Sequence, residues 1–114
     1  MSDTHKRLDD IADLVGRLQE HYPVETNAFL SFMQKAEHGK ALSILQKELI
    51  NVGLSVAAQC DWCIAIHVQH AVAAGATRDQ VIEAGFMAVV MHGGPALMYM
   101  KPLLDALDAF IPTA

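Results

Sequence analysis

Apolar residues recur every three to four positions along the chain, a spacing that predicts amphipathic helices. The first helix ends at Tyr22-Pro23, because the residue before a proline disfavours helix. Its apolar stripe consists of Leu8, Ile11, Leu14, Val15 and Leu18. The second helix ends near Gly39 and carries on one side Phe29, Phe32, Met33 and Ala36. No strand alternation, linker or obvious repeat interrupts the pattern, so we predict an all-α chain.

Four further helices follow from the same pattern. The third begins near Lys40, ends before Cys60 and carries Leu42, Leu45, Leu49 and Val52. The fourth runs from about Cys60 to Ala74, with Gly75 as its C-cap. Thr77 and Gln80 form a capping box before the fifth, Val81 to Met91, which is apolar nearly all round. Pro95 suits the first turn of a sixth helix that runs to about Phe110. We therefore predict a single-domain bundle of about six helices.

Composition limits the function classes. With 114 residues, of which 53% are apolar, the chain has too little interior to hide its apolar surface as a monomer, which predicts a homo-oligomer. The longest apolar run, 84–91, is far shorter than the roughly 20 residues of a membrane span. The first residues lack the apolar segment of a signal peptide, so we expect a cytoplasmic protein. A net charge of −5 without a basic stripe argues against nucleic acid as a partner.

The candidate chemistry lies in one stretch, 48–67. It contains both cysteines, Cys60 and Cys63, with His67 four residues after the second. On one helix these three side chains share a face. If the chain turns near Ala58 and the third and fourth helices pack antiparallel, Glu48 comes level with His67.

This combination favours thiol redox chemistry, as a dithiol peroxidase or a disulfide reductase. In the cytosol two cysteines are seldom a structural disulfide, and only the thiolate attacks peroxides or disulfides. No lysine or arginine occurs between Lys47 and Arg78, so a helix N-terminus and His67 must favour the thiolate. We expect burial to raise the pKa of Glu48 and make it a proton acceptor.

Other interpretations of these residues stay open. Zinc could use Cys60, Cys63 and His67 with Glu48 or His70, but structural zinc sites usually combine two separated ligand pairs, and the second is missing. We therefore expect no bound metal or cofactor. The sequence alone places His70 near the edge of the cysteine face, either as a structural residue or as one that supports the site residues.

The spacing Glu48, Cys60, Cys63, His67 resembles the signature of the alkylhydroperoxidase D-like branch of the carboxymuconolactone decarboxylase family. The segments 74–77, 80–84 and 93–96 are also similar to that family. The resemblance covers about residues 40–110, which divides the single domain, 1–114, into an N-terminal helical addition, 1–38, and a core, 40–110.

The resemblance implies a helical trimer or hexamer that reduces peroxides with its cysteine pair. It implies that Cys63 attacks, that Cys60 resolves, that Glu48 and His67 relay protons, and that a dithiol such as dihydrolipoamide or a redox protein is the reductant. Some members carry histidine where this chain has Trp62, which predicts weak peroxidase activity. Two alternatives are a lactone decarboxylase, which generally lacks the cysteines, and a non-catalytic helical assembly protein.

Overall fold

The computed structural model describes residues 3–111, so residues 1, 2 and 112–114 of the predicted domain lie outside it. The described part contains seven helices and no strand, which confirms the all-α prediction. Their bounds are α1 Asp3–His21, α2 Pro23–Glu37, α3 Ile44–Ala57, α4 Asp61–Ala73, α5 Arg78–His92, α6 Gly94–Met98 and α7 Met100–Phe110.

The predicted sixth helix is divided at Tyr99 into α6 and α7. Pro102, in the first turn of α7, supplies the physical reason. A proline lacks the backbone N–H, and its ring clashes with the carbonyl group of the residue four positions earlier, here Met98. A helix from Pro95 through Pro102 would therefore be kinked or broken, and here it is broken at Tyr99.

Capping residues set where the helices begin. Thr77 and Gln80 form the predicted capping box at the start of α5. A second capping box, between Ser43 and Gln46, begins α3 at Ile44. The expected start near Lys40 was therefore wrong, because the Ser43 side chain accepts the Gln46 N–H and so caps the helix at that point.

A short turn reverses the chain between α3 and α4. Ala58 ends α3, and Gln59 takes a left-handed backbone conformation with φ +56°. Cys60 then serves as the N-cap of α4, which packs along α3. The predicted turn near Ala58 is confirmed, and it brings Glu48 to the same level as the second half of α4.

The core lies among α3, α4, α5 and α7. Its largest fully buried side chains are Ile64, Leu103, Leu107, Val52, Val56, Val68 and Val81. Two glycines allow α5 to approach its neighbours closely. A Cβ atom on Gly85 would lie 2.8 Å from Leu103 Cδ1, and one on Gly53 would lie 3.0 Å from the carbonyl oxygen of Ala84. Gly53 thus allows close packing between α3 and α5.

Much apolar surface stays outside this core. The helix α2 buries no residue, and Phe29 and Phe32 on its predicted apolar side are 61% and 66% exposed. The outer side of α5, which we call the α5 face, exposes Phe86, Met87, Val90 and Met91. None of the described helices is long and apolar enough to span a membrane.

Candidate functional site

The two cysteines lie at the N-terminus of α4, joined by a disulfide. Their Cα atoms are 5.2 Å apart, within the range that disulfides require. The Cys63 N–H also donates a hydrogen bond to Cys60 Sγ over 3.1 Å. Both cysteines are half-buried, so a small thiol can reach them. His67 follows Cys63 by one helical turn on the same face.

A buried carboxylate faces the second and third turns of α4. Glu48 Oε2 lies 3.2 Å from His67 Nδ1 and 3.4 Å from His70 Nδ1. The other oxygen, Oε1, accepts a hydrogen bond of 3.0 Å from Asn51 Nδ2. The antiparallel packing of α3 and α4 thus brings the acid beside His67, as the spacing predicts.

The charge state of Glu48 differs from the expectation. Burial raises its pKa, but hydrogen bonds from His67, His70 and Asn51 outweigh burial and lower the pKa to about 2. The expected raised pKa was therefore wrong. Glu48 is a carboxylate at neutral pH and far too weak a base to deprotonate a thiol with an ordinary pKa of about 8.5.

His70 contacts Glu48 directly and so supports the site, one of the two roles that the sequence left open for it. The hydrogen bond to Glu48 raises the pKa of His70 above 6.5, against the opposing effect of burial. The same hydrogen bond helps to compensate the buried negative charge of Glu48. The sequence did contain a signal for this role, because His67 and His70 are three residues apart and so are neighbours on α4.

Side chains of helix α1 contact Asp61 and Trp62, the two residues between the cysteines. Arg7 Nη2 donates to Asp61 Oδ2 over 3.0 Å, and the Arg7 guanidinium lies 5.0 Å from the ring centroid of Trp62. The indole N–H of Trp62 donates to Asp10 Oδ2 over 3.2 Å. Local sequence offered no cation near the cysteines, but the fold supplies Arg7, which is 54 positions before Asp61.

The chain is similar to known proteins over most of its length. A profile of the carboxymuconolactone decarboxylase family matches residues 23–106. An uncharacterised protein of Cupriavidus necator is 35% identical over 108 residues, which cover 95% of this chain and 96% of that protein. Uncharacterised protein 4 of the cox locus of Paracoccus denitrificans is 37% identical over 82 residues, which cover 72% of this chain and 74% of that protein.

Two solved structures share the fold. One is apo-lpg0406 of Legionella pneumophila, a carboxymuconolactone decarboxylase family protein, with a TM-score of 0.89 and 37% identity over 94% of this chain and 96% of that one. The other is TM1620 of Thermotoga maritima, a protein of the same family to which a role in the antioxidative response is ascribed as a possibility. It has a TM-score of 0.81 and 22% identity over 91% of this chain and 88% of that one, which shows the fold alone.

Proposed function

This chain belongs to the carboxymuconolactone decarboxylase family, and we propose that it is a dithiol peroxidase of the alkylhydroperoxidase D-like kind. The observation that carries the proposal is the Cys60–Cys63 disulfide at the start of α4, with His67 one turn away. A helix N-terminus favours a thiolate, and a neighbouring imidazole can take the thiol proton.

Cys63 is the attacking sulfur in this proposal. Its thiolate attacks one oxygen of a hydroperoxide, the O–O bond breaks, and a proton from His67 converts the departing oxygen to an alcohol or water. Cys63 becomes a sulfenic acid. His67 is suited to this proton transfer because it lies one turn from Cys63. Glu48 is not suited to it, because a pKa of about 2 makes its carboxylate too weak a base to take a thiol proton.

Glu48 acts as a positioning residue. When its carboxylate accepts the Nδ1–H of His67, the Nε2 lone pair of the neutral ring is left to accept the proton of a thiol. This is how a buried carboxylate fixes the tautomer and orientation of a catalytic imidazole. Protons therefore pass between Cys63 and His67, and Glu48 orients the His67 ring.

Cys60 closes the cycle. Its thiolate attacks the sulfenic sulfur of Cys63, the disulfide forms, and hydroxide leaves as water with a proton. A dithiol such as dihydrolipoamide, or a redox protein, then attacks Cys63, and Cys60 leaves as a thiolate. The Cys63 N–H that points at Cys60 Sγ stabilises that leaving group. Per cycle one hydroperoxide is reduced to an alcohol and water while one dithiol becomes a disulfide.

The test is hydroperoxide consumption with dihydrolipoamide as the reductant. We expect turnover for the wild type and none for Cys63→Ser. Cys60→Ser should react with one equivalent of peroxide and stop at the sulfenic acid, because nothing resolves it. Wild-type protein that consumes no hydroperoxide, or a Cys63→Ser variant as active as wild type, would reject the proposal.

We also propose that the protein assembles into a trimer or hexamer in the cytoplasm. The α5 face supports assembly, because Val90 and Met91 are 72% and 79% exposed in the single chain. Contiguous apolar surface of this kind marks interfaces between subunits. Cytoplasmic dithiols would then keep the cysteine pair supplied with reductant.

A further inference from the structure

We propose that Glu48, His67 and His70 form a binding site for a divalent transition-metal ion such as zinc. Each residue offers one ligand atom, and the three atoms lie within 4.8 Å of one another. The set excludes both cysteines and is therefore not the cysteine-based zinc site that the sequence argues against. It also departs from the expectation that the chain binds no metal.

The distances around Glu48 suit a tetrahedral ion. Zinc lies about 2.0–2.2 Å from imidazole nitrogens and carboxylate oxygens, which places tetrahedral ligand atoms about 3.4 Å apart. Glu48 Oε2 is 3.2 Å from His67 Nδ1 and 3.4 Å from His70 Nδ1. Two of the three edges of the site therefore already have the required length. The third edge, between the ligand atoms of the two histidines, is within 4.8 Å, and the His70 side chain is 43% exposed, so small shifts of that side chain can adjust it.

The surroundings hold the ligands and leave a way in. Asn51 donates to Glu48 Oε1, which directs the other oxygen, Oε2, towards the histidines. Such outer hydrogen bonds orient ligating carboxylates in metal sites. His70 lies at the surface, so solvent can fill a fourth position. Three protein ligands with an open position are typical of metal sites that bind a water or a small ligand.

The donor set selects the class of ion. Two imidazoles with one carboxylate suit Zn²⁺, Co²⁺, Ni²⁺ and Cu²⁺, whereas Mg²⁺ and Ca²⁺ prefer oxygen ligands. The ion would replace the protons that now lie between the carboxylate and the two rings. Binding of this kind needs no thiol, so it does not depend on the proposed peroxidase activity.

The test is calorimetric titration of Zn²⁺ into untagged protein that holds the Cys60–Cys63 disulfide, which removes both sulfurs as thiolate ligands. We expect one ion per chain. His70→Gln should weaken Zn²⁺ binding by more than about 10-fold. Loss of a residue that only hydrogen-bonds to a metal ligand already lowers metal affinity by about that factor, and His70 is itself a ligand. His92→Gln, which changes an exposed histidine at the end of α5, is the matched control and should bind like the wild type.

Co²⁺ gives a second measurement on the same protein. Four-coordinate Co²⁺ absorbs visible light strongly and hydrated octahedral Co²⁺ weakly, so strong absorption that His70→Gln abolishes would support the site. No saturable Zn²⁺ binding, equal binding by His70→Gln, equal loss in His92→Gln, or equal affinity for Mg²⁺ would each overturn the proposal. None of these results bears on peroxide turnover, and a failed peroxidase assay would leave the metal site standing.

Discussion

Replacement of Glu48 by glutamine is expected to remove a stability contribution that depends on pH. The fall in the Glu48 pKa from 4.5 to about 2 means that folding favours the carboxylate over the acid. At about 1.4 kcal/mol for each tenfold change in the proton affinity, the contribution is about 3 kcal/mol. Its source is the set of hydrogen bonds from His67, His70 and Asn51, and Glu48→Gln keeps the shape while it removes the charge.

The pH window follows from the two pKa directions. Because the pKa of Glu48 is depressed, its contribution is fully present above 4.5 and is lost as the pH falls towards about 2. Because the pKa of His70 is raised, its contribution is present below 6.5 and is lost as the pH rises through the raised value. The Glu48 network should therefore stabilise the fold most between about pH 4.5 and 6.5.

Urea unfolding of the disulfide form, followed by far-ultraviolet circular dichroism, measures this contribution. Protein concentration must be fixed, because assembly shifts apparent stability. We expect Glu48→Gln to lower the free energy of unfolding by about 3 kcal/mol near pH 6, with most of the difference gone at pH 2. Glu25→Gln, an exposed acid on α2, is the control and should stay within about 0.5 kcal/mol of wild type. A Glu48→Gln deficit that is the same at pH 6 and pH 2 would refute the reasoning.

Four further substitutions test the packing, the α1 contact and assembly. Gly85→Ala should lower the free energy of unfolding by about 1–3 kcal/mol, because its Cβ would lie 2.8 Å from Leu103 Cδ1. Gly16→Ala should instead raise it by about 0.5–1 kcal/mol, because nothing lies within 4 Å of the added Cβ. Arg7→Gln should speed amide hydrogen exchange in α1 but not in α5, and unchanged exchange would show that the Arg7 contacts do not hold α1. Met91→Glu should shift sedimentation towards the 12.4 kDa monomer, and a wild type that is already monomeric at micromolar concentration would reject assembly.

Local sequence signals predicted most of the helices. The capping box at Thr77 and the turn near Ala58 depend on residues a few positions apart, so their chemistry is visible along the chain. An irregularity near Tyr99 was also predictable, because Pro102 kinks or breaks a helix about one turn before it. The capping box at Ser43 was visible in the same way. The predicted third helix began near Lys40 and included Leu42, which lies before that cap.

Contacts between distant segments could not be predicted in the same way. Arg7 reaches Asp61 and Trp62 only because α1 packs across α4, and no periodicity in either segment specifies that crossing. The exposure of Phe29 and Phe32 is a similar case. An apolar stripe indicates a side that avoids water, but it does not say whether its own chain or a second copy covers that side.

The error about Glu48 has a physical cause with a consequence for the proposed mechanism. Burial alone raises the pKa of an acid, and the sequence did not show how many hydrogen bonds the carboxylate would accept. Three donors from α3 and α4 reverse the sign, because each favours the charged form. A carboxylate held in this way can orient His67 and balance a protonated His70, but it cannot take the thiol proton. The base of the site must therefore be His67, and Glu48 contributes by holding that ring in one tautomer.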